Sequence, residues 1–436
     1  MSDLRPFHFN VVFWGDRFRD YLTDFCLPSL LSPNNIPRLS GGRRNRFVFC
    51  TTADDRAALT RTPIFALLDR YIEPQFIEIP PAPPGLSGCE HMGVGHKLAT
   101  EMIHRERGYG VILTPDLMMS DGSIAALERY ARAGHRVVLS AALRFGEEPL
   151  FEHLAAVGII RQGERLSQAG RPLAVTGRQM VAAGIRSFHS ETQRYGWDSS
   201  SFTDFPAACW WQVPGEDGIV VHSLSWSPVL VDYAAVGRHD TSTLETWTLD
   251  ADYIYRNFGN DTGVHVVTDS DEIMLVSWAP LSDRRQRLSR NYLKTLPGVG
   301  GWVKGAILRG AVTTGTFDPL KRRIFFLPVR WHSRDLTPAW GETERRAART
   351  LRRYLGDLAP GEAVVGGVRR GGGFGLAALA AFGRIWIVAA DLLAHADRVT
   401  LRLAQVLRGD RAAAGRLWRR LRTVVKTIRG AEIKGA

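Results

Sequence analysis

Between Phe9 and Ala142, short apolar runs alternate with helix-patterned stretches, and this alternation constrains the fold more than any other feature of the chain. Phe9-Asn10-Val11-Val12-Phe13-Trp14 reads as a strand broken by Gly15-Asp16, after which apolar residues recur at Phe18, Tyr21, Leu22, Phe25, Leu30 and Leu31, as on one helix face. Arg46 to Thr52 is a second strand-like run, with Ala53-Asp54-Asp55 as a helix start, and Gln75 to Ile79 is a third. A proline-rich loop at 80–84 leads to a helix from about Met92 to Arg107. A strand follows at Val111-Ile112-Leu113, then a helix from Ser123 to Ala133 and a strand from Arg136 to Ala142. Strands separated by single helices cannot be hairpin partners, so the expected fold is α/β, a mostly parallel sheet with helices on both faces.

In such a sheet, ligands bind beyond the carboxyl ends of the strands. The run at Val111 ends there in Thr114-Pro115-Asp116, and Asp121 follows after Leu117-Met118-Met119-Ser120. A carboxylate at that rim is placed to hold a cation or a polar ligand. Asp121, directly before Gly122-Ser123, equally suits a helix cap. Gly93-Val94-Gly95-His96-Lys97, with Gly88 upstream, has the look of a phosphate loop, but it does not follow a strand directly. Contact of Lys97 or His96 with a nucleotide phosphate stands beside the plainer reading of a loop entering a helix.

The order of these elements resembles the A-type fold of nucleotide-sugar glycosyltransferases. The features that carry the likeness are a first strand ending in a small polar turn, a second ending in Thr51-Thr52-Ala53-Asp54-Asp55, a helix holding Lys97, and a strand ending at Asp116. The chain is also similar to bacterial glycosyltransferase-like proteins through Trp14-Gly15, Leu27-Pro28-Ser29-Leu30-Leu31, Pro115-Asp116 and Ser120-Asp121-Gly122. The resemblance covers roughly residues 8 to 145. It implies transfer of a sugar from a nucleoside diphosphate sugar to a glycan or lipid-linked acceptor, with Thr51 and Asp55 facing the nucleoside. It also implies a divalent metal, Mn or Mg, held by Asp116 and by a late histidine, His222. Thr114 and Pro115 stand where the first acid of an Asp-x-Asp motif would be.

Further along, Leu249-Asp250-Ala251-Asp252 and Val267-Thr268-Asp269-Ser270-Asp271 each contain a literal Asp-x-Asp. Carboxylates two residues apart in extended chain point the same way, so Asp269 and Asp271 form an alternative metal pair; Asp-Ser-Asp-Glu is also good hairpin-turn chemistry. Asp250 and Asp252, between Trp247 and Tyr253, are candidates for substrate contact. The stretch 189–211 places His189, Glu191, Tyr195, Trp197, Asp198, Trp210 and Trp211 together, the mixture of aromatic faces and carboxylates that a sugar needs. Within it Trp197 is a candidate stacking residue, and Asp198 the candidate catalytic base.

The formal charge of +12 is unevenly distributed: residues 340–436 hold 19 Lys and Arg against 8 Asp and Glu, which leaves the rest of the chain close to neutral. Only the tail calls for an anionic partner. Its last helix repeats Leu417, Leu421, Val424 and Ile428 on one face and carries Arg416, Arg419, Arg420, Arg422, Lys426 and Arg429, a basic amphipathic pattern suited to an anionic membrane surface. No nucleic-acid motif accompanies it. The apolar stretch 374–394 is broken by Arg384 and Asp391, which disfavours a membrane span. Four cysteines without CxxC spacing are expected as buried free thiols, and the polar start Met1-Ser2-Asp3 as part of a cytoplasmic, membrane-peripheral protein. The expected organisation is a catalytic domain over 1–335, with a nucleotide half at 8–145 and an acceptor half at 146–335. An Arg/Gly-rich linker region at 336–373 and a basic helical tail at 374–436 would complete it. A non-catalytic glycan- or partner-binding protein of the same fold is the alternative.

Overall fold

A computed structural model of the chain describes residues 4–81, 86–161, 163–245, 248–249, 251–259, 263–283, 292–313 and 319–358. The chain divides into two compact units, 1–368 and 369–436; the second, with the expected tail helix and the stretch 374–394, lies outside the described residues. The strands are β1 (Phe7–Val12), β2 (Arg46–Thr51), β3 (Glu73–Glu78), β4 (Tyr109–Leu113), β5 (Leu117–Met119), β6 (Val137–Ala141) and β7 (Arg144–Gly146). After a helical stretch come β8 (Ala208–Gln212), β9 (Gly218–Ser223), β10 (Trp226–Asp232), β11 (Val264–Val266), β12 (Leu275–Ala279) and β13 (Val329–His332).

The central sheet has seven strands in the order β11-β6-β10-β4-β1-β2-β3. All are parallel except β10, which runs antiparallel between β4 and β6. The chain steps outward from β1 to β2 to β3 and then returns to place β4 on the other side of β1, so the switch of direction falls between β1 and β4. The carboxyl ends of those two strands flank the crevice where a ligand enters an open α/β sheet. Mixed α/β architecture with a mainly parallel central sheet therefore agrees with the alternation in the sequence.

Period-2 alternation gives the sheet two apolar faces. Phe9, Val11, Phe47, Phe49 and Val111 pack with Leu22, Leu27, Leu30, Leu59 and Leu127 on one face, and Val12, Val48, Cys50, Ile112 and Leu139 pack with Ala99 and Ile103 on the other. Phe47 lies 4.4 Å from Phe49 and 5.8 Å from Phe9 in a stacked row, each ring contributing about 1.5–3 kcal/mol by burial. The helix Gly88–Glu106 covers the second face. A full capping box at Ser87 and Glu90 starts it, four residues earlier than the periodicity predicts, and it absorbs the glycine-rich stretch into helix. Gly95 is needed there for contact, because a Cβ would stand 2.5 Å from Val12 Cγ1 and 3.2 Å from Cys50 Cβ.

Two three-stranded sheets complete the fold, β5-β12-β7 and β13-β9-β8. The two runs on either side of Asp269-Ser270-Asp271 thus belong to different sheets: β11 pairs with β6, and β12 with β5 and β7. A turn does lie between them, as its composition predicts, but it is not a hairpin. The helix Pro338–Leu355 falls at the start of the stretch read as a linker; it buries Trp340, Ala347 and Leu351 against β8, β9 and the helix Val299–Thr313. Cys26, Cys50 and Cys209 are buried free thiols, and Cys89 is half-buried. No helix among the described residues is long and apolar enough to cross a membrane.

Candidate functional site

At the rim of the sheet, Asp55 is buried and its oxygens are occupied. It accepts from the Gly15 backbone N–H (2.9 Å), from Thr52 Oγ1 (2.8 Å) and from Arg19 Nη1 (2.8 Å). Gly15 has φ +79°, a conformation that suits glycine, so Asp55 ties the turn after β1 to the helix after β2. Thr51, at the end of β2, has a buried hydroxyl without a hydrogen-bond partner among the described residues. Lys97 is half-exposed, with its Nζ 3.7 Å from Glu245 Oε1.

A cavity of about 320 Å³ opens beyond the carboxyl ends of β4 and β6. Ile112 and Thr114 of β4 and its loop, Ala142 after β6 and Ser227 at the start of β10 form one wall. Leu117 of β5, Arg144 of β7 and Ser277 of β12 form another, and His96, Glu191 and Tyr195 close it. Burial holds the His96 imidazole down to about 4, so it is neutral at physiological pH, and its Nδ1 has no partner among the described residues. Glu191 is the one carboxylate in the described lining. It accepts from the Tyr195 hydroxyl at 2.7 Å, and burial followed by the charge of Glu191 pushes the Tyr195 phenol well above its usual range. Asp116 adjoins the wall, with Ser277 Oγ 3.4 Å from its Oδ2.

Asp198 does not reach this cavity. Its side chain is 57% exposed and pairs with Arg346 at 2.6 Å, on the outer helix Pro338–Leu355. The reading of Asp198 as the base is corrected accordingly: a carboxylate already neutralised at the surface cannot take a proton from a hydroxyl held elsewhere. Trp197, its neighbour, packs at 5.9 Å from Trp211, and its carbonyl accepts from Lys304 Nζ at 2.6 Å; it belongs to the third core and not to the cavity lining. Asp250 lies outside the described residues and Asp252 is described only as a position in the helix Ala251–Phe258, although Thr248 and Leu249 just before them do line the cavity.

The expected metal pair of Asp116 and His222 is also corrected. His222, on β9, is buried 5.8 Å from Trp211, and its Nδ1 lies 2.9 Å from the Phe325 carbonyl, which can only accept and so fixes the proton on that nitrogen. Burial lowers it to about 4; its polar neighbours are the Phe325 carbonyl and Glu344, not Asp116.

The alternative pair is brought together, with a third member the sequence does not announce. Asp269, Asp271 and His332 place one ligand atom each within 4.8 Å, the only such group of three or more among the described residues. His332 Nε2 lies 2.9 Å from Asp269 Oδ1, and its Nδ1 donates to the Arg334 carbonyl at 2.7 Å. The hydrogen bond to Asp269 raises the His332 imidazole. Burial works to raise the Asp269 carboxyl, but His332 and the Asp271 backbone N–H hold it below the usual range. Arg178 grips both oxygens of Asp271, at 3.1 Å from each through Nε and 2.9 Å through Nη2, and reaches Asp335 at 2.7 Å through Nη1. The group is therefore already balanced by a guanidinium and an imidazole, a poor vacancy for a divalent ion. Asp121, read as either a site acid or a cap, accepts from the Asn34 backbone and side chain at 2.9 and 2.7 Å.

Sequence reasoning missed Arg144 and His332 and did not single out Glu191. Glu191 does lie in the aromatic-acidic stretch 189–211, which was a usable signal; Arg144 had none, because its role depends on β7 lying beside β12.

No family model matches the sequence, and no curated protein matches it. Among solved structures, the crystal structure of S. aureus TarS is similar to this chain with a TM-score of 0.20 and 10% identity, over 42% of this chain and 34% of that one. The chain thus spans about a third of the length of the structure it matches.

Proposed function

We propose that this chain is a glycosyltransferase, moving a sugar from a nucleoside diphosphate sugar to a glycan or lipid-linked acceptor, in the cavity between β4, β6 and the small sheet β5-β12-β7. The observation that carries the reading is the composition of that cavity: it lies beside the switch point of the sheet, and its described lining has one carboxylate, Glu191, one guanidinium, Arg144, and the neutral imidazole of His96 among hydroxyls and apolar groups. This suits a single displacement. Glu191 takes the proton of an acceptor hydroxyl as its oxygen bonds to the anomeric carbon, and the bond from that carbon to the phosphate oxygen breaks, its electron pair leaving with the nucleoside diphosphate. The neutral polar wall supplies hydrogen bonds for sugar hydroxyls. The A-type fold suggested by element order fits the sheet described above, with β10 as the single reversed strand. The basic amphipathic pattern of the sequence over 416–429 would hold the protein on an anionic membrane face, close to a lipid-linked acceptor.

The test is incubation of the full chain with a panel of nucleotide sugars and acceptor glycans, reading release of nucleoside diphosphate. Turnover of at least one donor is expected. If every donor is inert while glycans still bind, the non-catalytic alternative replaces this reading.

A further inference from the structure

Resting on the glycosyl-transfer reading, we infer that the departing diphosphate is neutralised by the Arg144 guanidinium and not by a divalent cation. Cleavage of the bond between the anomeric carbon and phosphate leaves an electron pair on a β-phosphate oxygen, and that charge must meet a cation placed in advance. A metal would need two or more ligands at the cavity, and the described side chains there do not provide them. Asp116 follows Thr114 and Pro115, with no acid beside it in sequence, and its neighbour is the Ser277 hydroxyl. Glu191, the one carboxylate in the described lining, gives one oxygen to Tyr195 and offers a single ligand oxygen at most. The Asp269, Asp271 and His332 group contributes no residue to the cavity lining and is satisfied by Arg178.

Arg144 meets the requirement directly. It is the only Lys or Arg in the described lining, and no carboxylate pairs with it among the described residues. Its backbone is fixed on both sides. The N–H donates to Thr192 Oγ1 at 3.2 Å, and the carbonyl accepts from Thr192 Oγ1 at 2.7 Å and from the His189 N–H at 3.2 Å. Its register in β7 is opposite Ser277. A held Cα with an exposed, unpaired guanidinium can place its planar fork on two phosphate oxygens. His96, the other titratable nitrogen in the wall, is neutral and can serve only as a hydrogen-bonding partner. In the step itself Arg144 transfers no proton: it donates hydrogen bonds to the phosphate oxygens as the electron pair arrives, while Glu191 keeps the acceptor's proton.

The experiment uses the full chain with the donor found by the panel, comparing Arg144→Gln and Arg144→Lys with the parent in excess EDTA and in Mn²⁺. UDP and GDP affinities are measured by calorimetry under the same conditions. Expected are parent turnover within about twofold in EDTA and in Mn²⁺, and a loss of about 10²–10³ in kcat/KM for Arg144→Gln with diphosphate affinity weakened in parallel. Partial recovery is expected for Arg144→Lys, which keeps the charge but not the fork. Abolition of parent turnover by EDTA with rescue by Mn²⁺ overturns the inference, as does an Arg144→Gln protein with unchanged kcat/KM and affinity. A parent inert to all donors that still binds UDP or GDP in EDTA, and loses that binding in Arg144→Gln, overturns the transfer reading while upholding the Arg144 site. A parent that binds neither in EDTA overturns both.

Discussion

Glu191 gives one oxygen to Tyr195 and leaves the other without a hydrogen-bond partner among the described residues, the arrangement of a base that is oriented but not neutralised. Glu191→Gln preserves shape and the contact with Tyr195 while removing the proton acceptor. It is expected to lower kcat by about 10²–10⁴ with donor KM little changed, as read by steady-state kinetics; unchanged kcat would remove Glu191 from the mechanism. This residue shows how far a sequence can locate a site. The stretch 189–211 was readable as a pocket because it mixes acids with aromatics, yet nothing local decides which acid faces inward. Asp198 has the better aromatic neighbour, and it is turned outward by Arg346, 148 positions away. His332 and Asp269 are likewise joined across the fold, by the bridge between Asp269 and Arg330 that no local pattern records.

The helix Gly88–Glu106 shows what elements add. Its glycines suggested a phosphate loop, whereas the capping box starts helix at Gly88 and Gly95 lets the backbone approach β1 and β2. Gly95→Ala gains helix propensity, but its methyl meets Val12 Cγ1 at 2.5 Å, so the helix must lift from the sheet. A net destabilisation of about 1–3 kcal/mol is expected in chemical denaturation, with part recovered by adding Val12→Ala. A Gly95→Ala protein as stable as the parent would show that the contact is looser than described. The strands were legible for a related reason. Buried parallel strands are mostly apolar runs, and β1, β2, β4 and β6 each coincide with one, whereas β3, at the edge of the sheet and half-exposed, was marked only by Phe76, Ile77 and Ile79. The helix Glu147–Ala156 was not legible, its apolar periodicity being weak and its surroundings rich in glycine.

Among the described residues, buried histidines shape the response to pH between about 4 and neutrality. Burial holds His96, His222 and His239 down to about 4. Between that value and the unfolded value near 6.5 the unfolded chain binds more protons, so stability is present above about pH 6.5 and is lost as pH falls toward 4. His332 has the opposite sign. Its imidazole is raised by Asp269, so its contribution is complete below about 6.5 and is lost as pH rises through the raised value. Thermal melts are therefore expected to show the melting temperature falling from pH 6.5 to pH 4. His332→Gln should cost about 1.5–3 kcal/mol at pH 6 and less at pH 9. A melting temperature flat across the acid window, or a His332→Gln cost that grows with pH, would contradict these assignments.

The reversed strand β10 has a consequence for how the protein is made. Val231 pairs with Gly110 and Trp226 with Ala141, so β4 and β6 share no hydrogen bond and are joined only through a segment that leaves the ribosome long after both. During synthesis β1 to β4 can assemble vectorially, but β6 must wait, and two strand edges rich in valine and leucine stay open until residue 232 has emerged. Joining of β4 to β6 and placement of the first cavity wall are thus one event, because β10 supplies both the missing rungs and Ser227, while the wall that holds Leu275 and Ser277 follows with β12. A chain stalled before β12 has emerged lacks part of the cavity lining, so competence to bind reports that both β10 and β12 are in place.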